Sequence, residues 1–294
     1  MSLSLNVRRS TLLPHKAPLT EKNLSDQTGK VFIVTGGSSG LGKELVNILY
    51  QRNAKVYIAA RSKSKTNEVI EELTKSHPSS TGELIFLSLQ LDDLTTIKSS
   101  AQEFLSKETR LDVLWNNAGV MVPPQGSKTK QGYELQIGVN NLGHFLFTWF
   151  LRSTLEATAQ IAPKNSVRVI WVSSSAADGA PHPAIDFDNM DYHREEGIWS
   201  KYSRRKAGNV IHSSEFARRT QGSGIVSIKL MASHPNNGAY TELFAGLSPT
   251  ITEKDNGGWV SPFGKTEPAR KDLLDPELGR TYWEWSEAQI SPYL

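Results

Sequence analysis

Val31-Phe32-Ile33-Val34-Thr35-Gly36-Gly37-Ser38-Ser39-Gly40-Leu41-Gly42 is the stretch around which the rest of the chain arranges itself. Val31 to Val34 run apolar without a break, as in a short strand buried on both faces of a parallel sheet. Glycines follow at 36, 37, 40 and 42. Beyond them Leu41, Leu45, Ile48 and Leu49 share one helical face, with Lys43, Glu44 and Asn47 off it. A strand, a glycine turn and a helix can cradle a pyrophosphate. Glycine lets the backbone come close, and the helix N-terminus offers free N–H groups and the positive end of its dipole. The spacing Gly36-x3-Gly40-x-Gly42 differs from Gly-x-Gly-x-x-Gly, so a plain glycine-rich turn between strand and helix stays open.

Outward from this stretch the pattern repeats. Strands are predicted at Lys55 to Ala60, Leu84 to Leu91, Leu111 to Trp115, Val167 to Val172 and Ile225 to Leu230. Helical patterns lie between them, including Leu94 to Lys107, the long apolar Val139 to Leu155, and Lys201 to Arg219. Such alternation implies an α/β fold with a doubly wound parallel sheet. No internal repeat or domain boundary is visible, so residues 29–294 are expected to form a single domain. Residues 1–28 carry Arg8, Arg9, Pro14 and Pro18 among scattered leucines and are expected to form a mobile N-terminal arm.

Hydrophobic residues make up 38% of the 294, ample for a core. No apolar run approaches the ~18 residues of a membrane helix, and the N-terminus lacks the apolar centre of a signal peptide. The absence of cysteine excludes disulfides, thiolate metal sites and cysteine nucleophiles, and fits a reducing compartment. A cytoplasmic location is therefore expected. Thirty-three basic residues nearly balance thirty acidic ones, for a net charge of +3. That is a mildly basic surface rather than a nucleic-acid footprint.

Several short segments could carry chemistry. Tyr202 and Lys206, four apart on one helix, can reach a single pocket. An ammonium near a phenol favours the phenolate, so such a tyrosine can exchange a proton near neutral pH. The same spacing also suits a solvated helix face. Ser173-Ser174-Ser175 ends the fifth strand and Asn116-Asn117-Ala118-Gly119 follows the fourth. Both lie at the carboxyl edge where ligands of parallel sheets bind; each also reads as a simple turn. Asn140 and Asn141 near the start of the long helix read equally as caps. Asp186 to Asp191 lacks the glycine and spaced glutamate of a calcium loop and reads as a polar insertion. Lys201, Arg204, Arg205, Lys206, Arg218 and Arg219 read as a solvated face, His144 as structural, and Tyr282, Trp283 and Trp285 as the packing face of a terminal helix.

Taken in order, Thr35-Gly36-Gly37-Ser38-Ser39-Gly40-Leu41-Gly42, Asn116-Asn117-Ala118-Gly119, Asn140, Ser174 and Tyr202-x-x-x-Lys206 closely resemble the short-chain dehydrogenase/reductase family. Leu111 to Met121, Gln136 to Phe147 and Gly238 to Pro249 are similar to a branch common in fungi that looks like retinol dehydrogenases and protochlorophyllide reductases. The resemblance implies a Rossmann-type single domain. It makes Tyr202 the general acid/base, places Ser174 on the carbonyl oxygen, sets Lys206 on the nicotinamide ribose, and gives Asn140 a water in a proton relay. It assigns Gly36, Ser38, Ser39, Gly40, Leu41, Gly42, Arg61, Leu91, Asn117, Ala118, Gly119, Tyr202, Lys206 and Pro235 to the cofactor, and no metal. Arg61, after the second strand, suits a ribose 2′-phosphate, with Lys63 or Lys65 adding charge, so NADP(H) is the expected cofactor. The partner expected is a ketone or alcohol of a lipophilic small molecule, with no nucleic acid and no membrane span; a homodimer is one option for assembly.

Three departures from the family pattern stand out. Gln90 takes the place of an aspartate near the adenine, and Arg205 replaces a serine on a helix face away from Tyr202. After Ser233-His234-Pro235-Asn236 the chain passes almost at once into Asn237 to Leu243, which resembles a segment well downstream. The substrate lid and much of the substrate wall are then expected to be missing. This leaves a rival reading, a nucleotide-binding relic with impaired catalysis.

Overall fold

The computed structural model describes residues 16–232 and 235–294, with the side chains of 232–237 outside the description. The unbroken apolar runs become strands of one sheet: β1 (Val31–Thr35), β2 (Lys55–Ala60), β3 (Glu83–Ser88), β4 (Val113–Asn116), β5 (Val167–Ser174) and β6 (Ile225–Ala232). Two short strands that hydropathy does not mark, β7 (Gly258–Ser261) and β8 (Lys265–Glu267), complete it. The order is β3-β2-β1-β4-β5-β6-β7-β8. Every pair is parallel except β7 with β8. The order reverses between β1 and β4, which opens a crevice at their carboxyl ends. This is the Rossmann-type doubly wound arrangement.

Successive strand residues face opposite ways. Phe32, Val34, Val56, Ile58 and Trp115 pack with helices α1 (Gly40–Gln51), α2 (Lys63–Ser76) and, further along the chain, α6 (Pro235–Leu247). Ile33, Tyr57, Leu87, Leu114 and Trp171 face α3 (Leu94–Leu105), α4 (His144–Ile161) and α5 (Ile198–Arg219). The C-terminal helix α7 (Pro276–Ile290) lies outside α5, with Tyr282 and Trp283 buried and Trp285 stacked on Tyr282.

The expected boundary of the N-terminal arm is corrected. Leu19 and Leu24 are buried in the core beneath α1 and α6. The Glu21 carbonyl accepts from the Arg52 guanidinium, and its carboxylate accepts from the Tyr240 hydroxyl at 2.8 Å. Two leucines with somewhere to go are enough to anchor a segment whose composition reads as loose. The rest of that expectation, residues 1–15, lies outside the described residues. The long apolar helix is also modified: Gly138–Gly143 is a π-helical turn before α4, so Asn140 and Asn141 lie inside the helical run and cap nothing. Such turns often mark functional sites.

One hydroxyl ties the crevice together. Thr35 Oγ1, at the end of β1, accepts from the backbone N–H of Asn117 and of Ala118, both at 2.9 Å. It also meets His144 Nε2 at 3.0 Å. His144 is buried and close enough through Nδ1 to the Asn140 carbonyl, 3.4 Å, to donate to it. The hydroxyl's own proton is placed to donate to the Trp115 carbonyl at 3.1 Å.

Leu24→Ala is expected to cost about 2–4 kcal/mol of unfolding free energy. A urea midpoint equal to the parent's would show that this segment does not belong to the fold. Burial also pushes both His144 and His212 down to about 3. Unfolded imidazoles take up protons near pH 6.5. Between those values the unfolded state binds two more protons, so stability is lost as pH falls, by about 1 kcal/mol per unit for each histidine. Urea midpoints taken from about pH 7 down to pH 5.5, above the carboxylate range, should fall in the parent and fall about half as steeply in His212→Gln.

Candidate active site

At the carboxyl ends of β1 to β4 lies a cleft of about 450 Å³. Its floor is the glycine turn. Gly36 and Gly40 have φ of +70° and +54°, a left-handed backbone that glycine adopts without steric cost. At Gly42 a Cβ would come within 2.5 Å of Asn117 Nδ2 and 2.7 Å of the Gly36 carbonyl. That closeness is real structure, since Asn117 Nδ2 donates to the Thr35 carbonyl at 2.8 Å. Ser39 precedes α1 in extended conformation, and its side chain makes no capping bond. The first-turn N–H groups are thus left without a side-chain acceptor, which suits an anion.

Gly36, Ser38, Ser39, Leu41, Gly42, Arg61, Leu91, Asn117, Ala118 and Gly119, all expected to hold a cofactor, line this cleft together. Ala59, Ala60, Ser62, Lys65, Leu89, Asp92, Val120, Leu135 and Val139 complete it. Arg61 is exposed at the rim with Lys65; Lys63 is not in the wall. Gly40 sits beside the cleft with open space around it. Pro235 is the first residue of α6, and its side chain is outside the described residues. The expectation for Gln90 is corrected: it is exposed and absent from the wall, whereas Asp92 is part of it.

Tyr202, Lys206 and Ser174 are not in the cleft wall; Lys206 lies behind it at Gly119. A Cβ on Gly119 would lie 3.1 Å from Asn140 Oδ1 and 3.9 Å from Lys206 Nζ. The lysine therefore sits directly behind the cleft wall. Its Nζ donates to the Val172 carbonyl at 3.0 Å and lies 5.8 Å from the centre of the Tyr202 ring. Ser174, not Ser173, approaches the phenol. Its hydroxyl, which accepts from the Ala176 N–H at 3.2 Å, acts to lower the phenol, whereas Ser173 Oγ is spent on the Lys206 carbonyl at 2.7 Å. Asn140 uses both ends of its amide on Val120, accepting from its N–H at 2.8 Å and donating to its carbonyl at 2.9 Å. Its side chain is thereby fixed in place.

The expected electrostatics need correcting. Burial raises the Tyr202 phenol above its ordinary value, and the Ser174 hydroxyl only partly opposes that. Burial lowers Lys206, partly opposed by the Glu242 carboxylate. Glu242 itself is fully buried, both its oxygens lack hydrogen-bond partners, and burial raises its carboxyl. No sequence signal marked this acid. It arrives because β6 ends at Ala232 and α6 begins at Pro235, which brings α6 against β4, where Trp115 Nε1 donates to the Glu242 carbonyl at 3.0 Å.

The basic face on α5 is corrected as well. Lys201, Arg204 and Arg205 are buried. Lys201 pairs with Glu195 at 2.7 Å and Arg204 with Glu196 at 2.8 Å. Arg205 donates through Nη2 to the Tyr192 hydroxyl at 2.6 Å. Arg218 and Arg219 both hold Glu215. The acidic segment around Asp186 contains a single turn, Phe187–Asn189. Among the described residues no group of three or more metal-ligating side chains comes together, and no helix is long and apolar enough to cross a membrane.

Comparison with known proteins agrees with this architecture. The profile of the short chain dehydrogenase family matches residues 30–184. A short-chain dehydrogenase/reductase of Emericella nidulans, pkfC, is 55% identical over 303 residues, covering 94% of this chain and 97% of its own. That aligned length exceeds the 294 residues of this chain, so the relative carries residues with no counterpart in it. A short-chain dehydrogenase/reductase of Phomopsis amygdali is 43% identical over 329 residues, covering 99% and 98%. Among solved structures, an uncharacterized protein from Mycobacterium paratuberculosis superposes with a TM-score of 0.75 at 27% identity, covering 93% of this chain and 97% of that one. The fold, though at 20% identity nothing more, is shared with the RhlG/NADP complex of Pseudomonas aeruginosa at a TM-score of 0.61, covering 81% and 96%. The chain belongs to the short-chain dehydrogenase/reductase family, a family of oxidoreductases.

Proposed function

We propose that the protein transfers hydride between NADP(H) and the carbonyl/alcohol pair of a lipophilic small molecule, with Tyr202 as general acid/base. One observation supports the reading: Lys206, 5.8 Å from the Tyr202 ring centre, lies directly behind Gly119 in the wall of a nucleotide-sized cleft. The cleft fits a dinucleotide phosphate. Its glycine floor admits no side chain at Gly42, and the uncapped start of α1 faces it. Ser38, Ser39 and Leu41 would hold the pyrophosphate; Arg61, with Lys65, would hold a ribose 2′-phosphate. The bound nicotinamide supplies the hydride.

The chain's own residues do the rest. Tyr202, kept protonated by burial, is set to donate its proton to a carbonyl oxygen as negative charge develops there. Ser174 donates a second hydrogen bond to that oxygen. Lys206 brings positive charge to the phenol's side of the site, and Asn140 holds Val120 and the Gly119 turn against it. Trp199, 62% exposed, stands edge-on to Tyr202 with ring centres 6.2 Å apart, and Met121, 64% exposed, follows Val120. Apolar side chains left in water beside a proton donor suit a lipophilic substrate.

Another reading draws on the abrupt passage from β6 into α6. It is a nucleotide-binding protein that has lost turnover with its lid, the residues lacking a counterpart being placed after Pro235. Turnover separates the two. Incubated with NADPH and a panel of lipophilic ketones, the parent should oxidise the cofactor, and Tyr202→Phe should lose about 10²-fold or more of that rate while its melting temperature still rises on adding NADPH. A Phe variant as active as the parent would remove Tyr202 from the mechanism, and an inert parent that still binds NADPH would favour the relic. Arg61→Asp should swing the ratio of NADPH to NADH affinity toward NADH. An unchanged ratio would sink the 2′-phosphate assignment.

A further inference from the structure

Among the described residues, Ile161, Met121 and Trp199 are the most exposed of the large apolar side chains. Ile161 ends α4, at the amino edge of the sheet. Met121 and Trp199 belong to the carboxyl edge, where Tyr202 and Lys206 lie. Trp199 is in the first turn of α5, one turn before Tyr202, and the two rings meet edge-on. Met121 closely follows Gly119, behind which Lys206 sits. Neither stands on loose chain. Val120 is held on both sides by Asn140, and the Val122 N–H donates to Gln136 Oε1 at 3.3 Å. Before Trp199, Glu195 is paired with Lys201 and Glu196 with Arg204, and the Lys201 N–H donates to the Gly197 carbonyl at 3.1 Å. Gln125 Nε2 donates to the Glu195 carboxylate, which joins the loop carrying Met121 to the start of α5. Two bulky apolar groups are thus fixed at the backbone yet left in water, at the edge that holds the proton donor. Apolar surface of that size is costly to leave wet.

Both groups favour one kind of surface. An indole is a flat, rigid platform that gains from ring-on-ring contact beyond the area it covers. A thioether gains from contact with an aromatic ring, and its unbranched stem adapts to what lies there. A saturated chain offers apolar area to either group and none of these added attractions. Trp199 and Tyr202, three apart on one helix, are neighbours on its surface. A ring attached directly to the carbonyl therefore reaches the indole while the oxygen meets the phenol. Resting on the hydride-transfer reading above, we infer that the substrate's carbonyl/alcohol pair is carried on a flat aromatic ring. Trp199 selects that ring, and Met121 is the lesser contact. Trp199 acts on binding rather than on the reacting atoms, so its loss falls on KM more than on kcat.

The test compares 2-acetylnaphthalene with its ring-saturated counterpart, which offers at least as much apolar area. Affinity is measured by titration calorimetry on the full chain saturated with NADP+, where no hydride can pass. The parent should bind the naphthyl ketone about fivefold to tenfold more tightly. Trp199→Ala should bind the two within about twofold, by losing the naphthyl ketone. Trp199→Phe keeps a smaller ring and should retain part of the preference. Melting curves without ligand check that both variants fold. A parent that binds both ketones alike, or neither, overturns the inference, as does an Ala variant that keeps the preference or loses both ketones equally. Gel filtration reports the other occupant: a dimer that Trp199→Ala splits while the preference persists assigns the indole to a second copy and overturns the inference too. Turnover of the same pair with NADPH is read separately. A parent that binds with the preference but reduces neither ketone fails the hydride-transfer reading and leaves the ring selection standing.

Discussion

The Thr35 hydroxyl is the constraint on which the site depends. It sits where β1 gives way to the glycine turn and receives two consecutive N–H groups from the chain leaving β4. Through His144 it also reaches the Asn140 carbonyl in the π-helical turn. Three segments far apart in sequence thereby meet at one oxygen atom. The cleft floor begins one residue after it, and Gly119, which backs onto Lys206, comes directly after its two partners. A buried node with every lone pair and proton used is stiff, because moving any segment leaves a polar group unpaired. The phosphate-binding turn and the proton-transfer group are accordingly held in one register.

Burial governs the chemistry that this register sets up. Proximity of an ammonium would by itself lower the tyrosine. In the folded chain Lys206 gives its proton contact to the Val172 carbonyl, and loss of water around the phenol raises Tyr202. The stronger effect is desolvation, which favours the neutral form of each group. Glu242 follows the same rule. The short connection after β6 delivers it to the interior with neither oxygen partnered, and Lys206 only partly offsets the cost of its charge. A chain with a longer connection need not place a carboxylate there.

The helix that carries Tyr202 and Lys206 shows why charge composition misleads. Its bases look like a wet face. In the structure α7 covers one side and the segment before α5 covers another, so Lys201, Arg204 and Arg205 are enclosed and matched by Glu195, Glu196 and Tyr192. Pairs that meet a buried base in this way offset its desolvation rather than add net stability. They do fix how the helix is rolled, and with it the direction in which Tyr202 and Lys206 point.

Much of this molecule was legible in the residues alone. Short apolar runs bounded by turn residues fit strands covered on both faces, so the parallel sheet, its strand positions and the glycine turn followed from local pattern. The order of the short motifs was enough for the family. Ser173 and Ser174 differ in their surroundings, because a one-residue step in a strand turns the side chain to the other face. What tertiary structure alone decided were matters of distance and enclosure. Leu19 and Leu24 joined the core because a site was free for them under α1 and α6. Gln90 faced outward while Asp92 entered the cleft wall. His144, placed by the sequence in the interior without a task, became the link between Thr35 and Asn140. Glu242 came within range of the Lys206 charge across 35 intervening residues. Periodicity records which way a side chain points from its own backbone. It holds no information about which remote segment will be waiting there, and that contact determines whether a polar group is satisfied, shifted or left for a ligand.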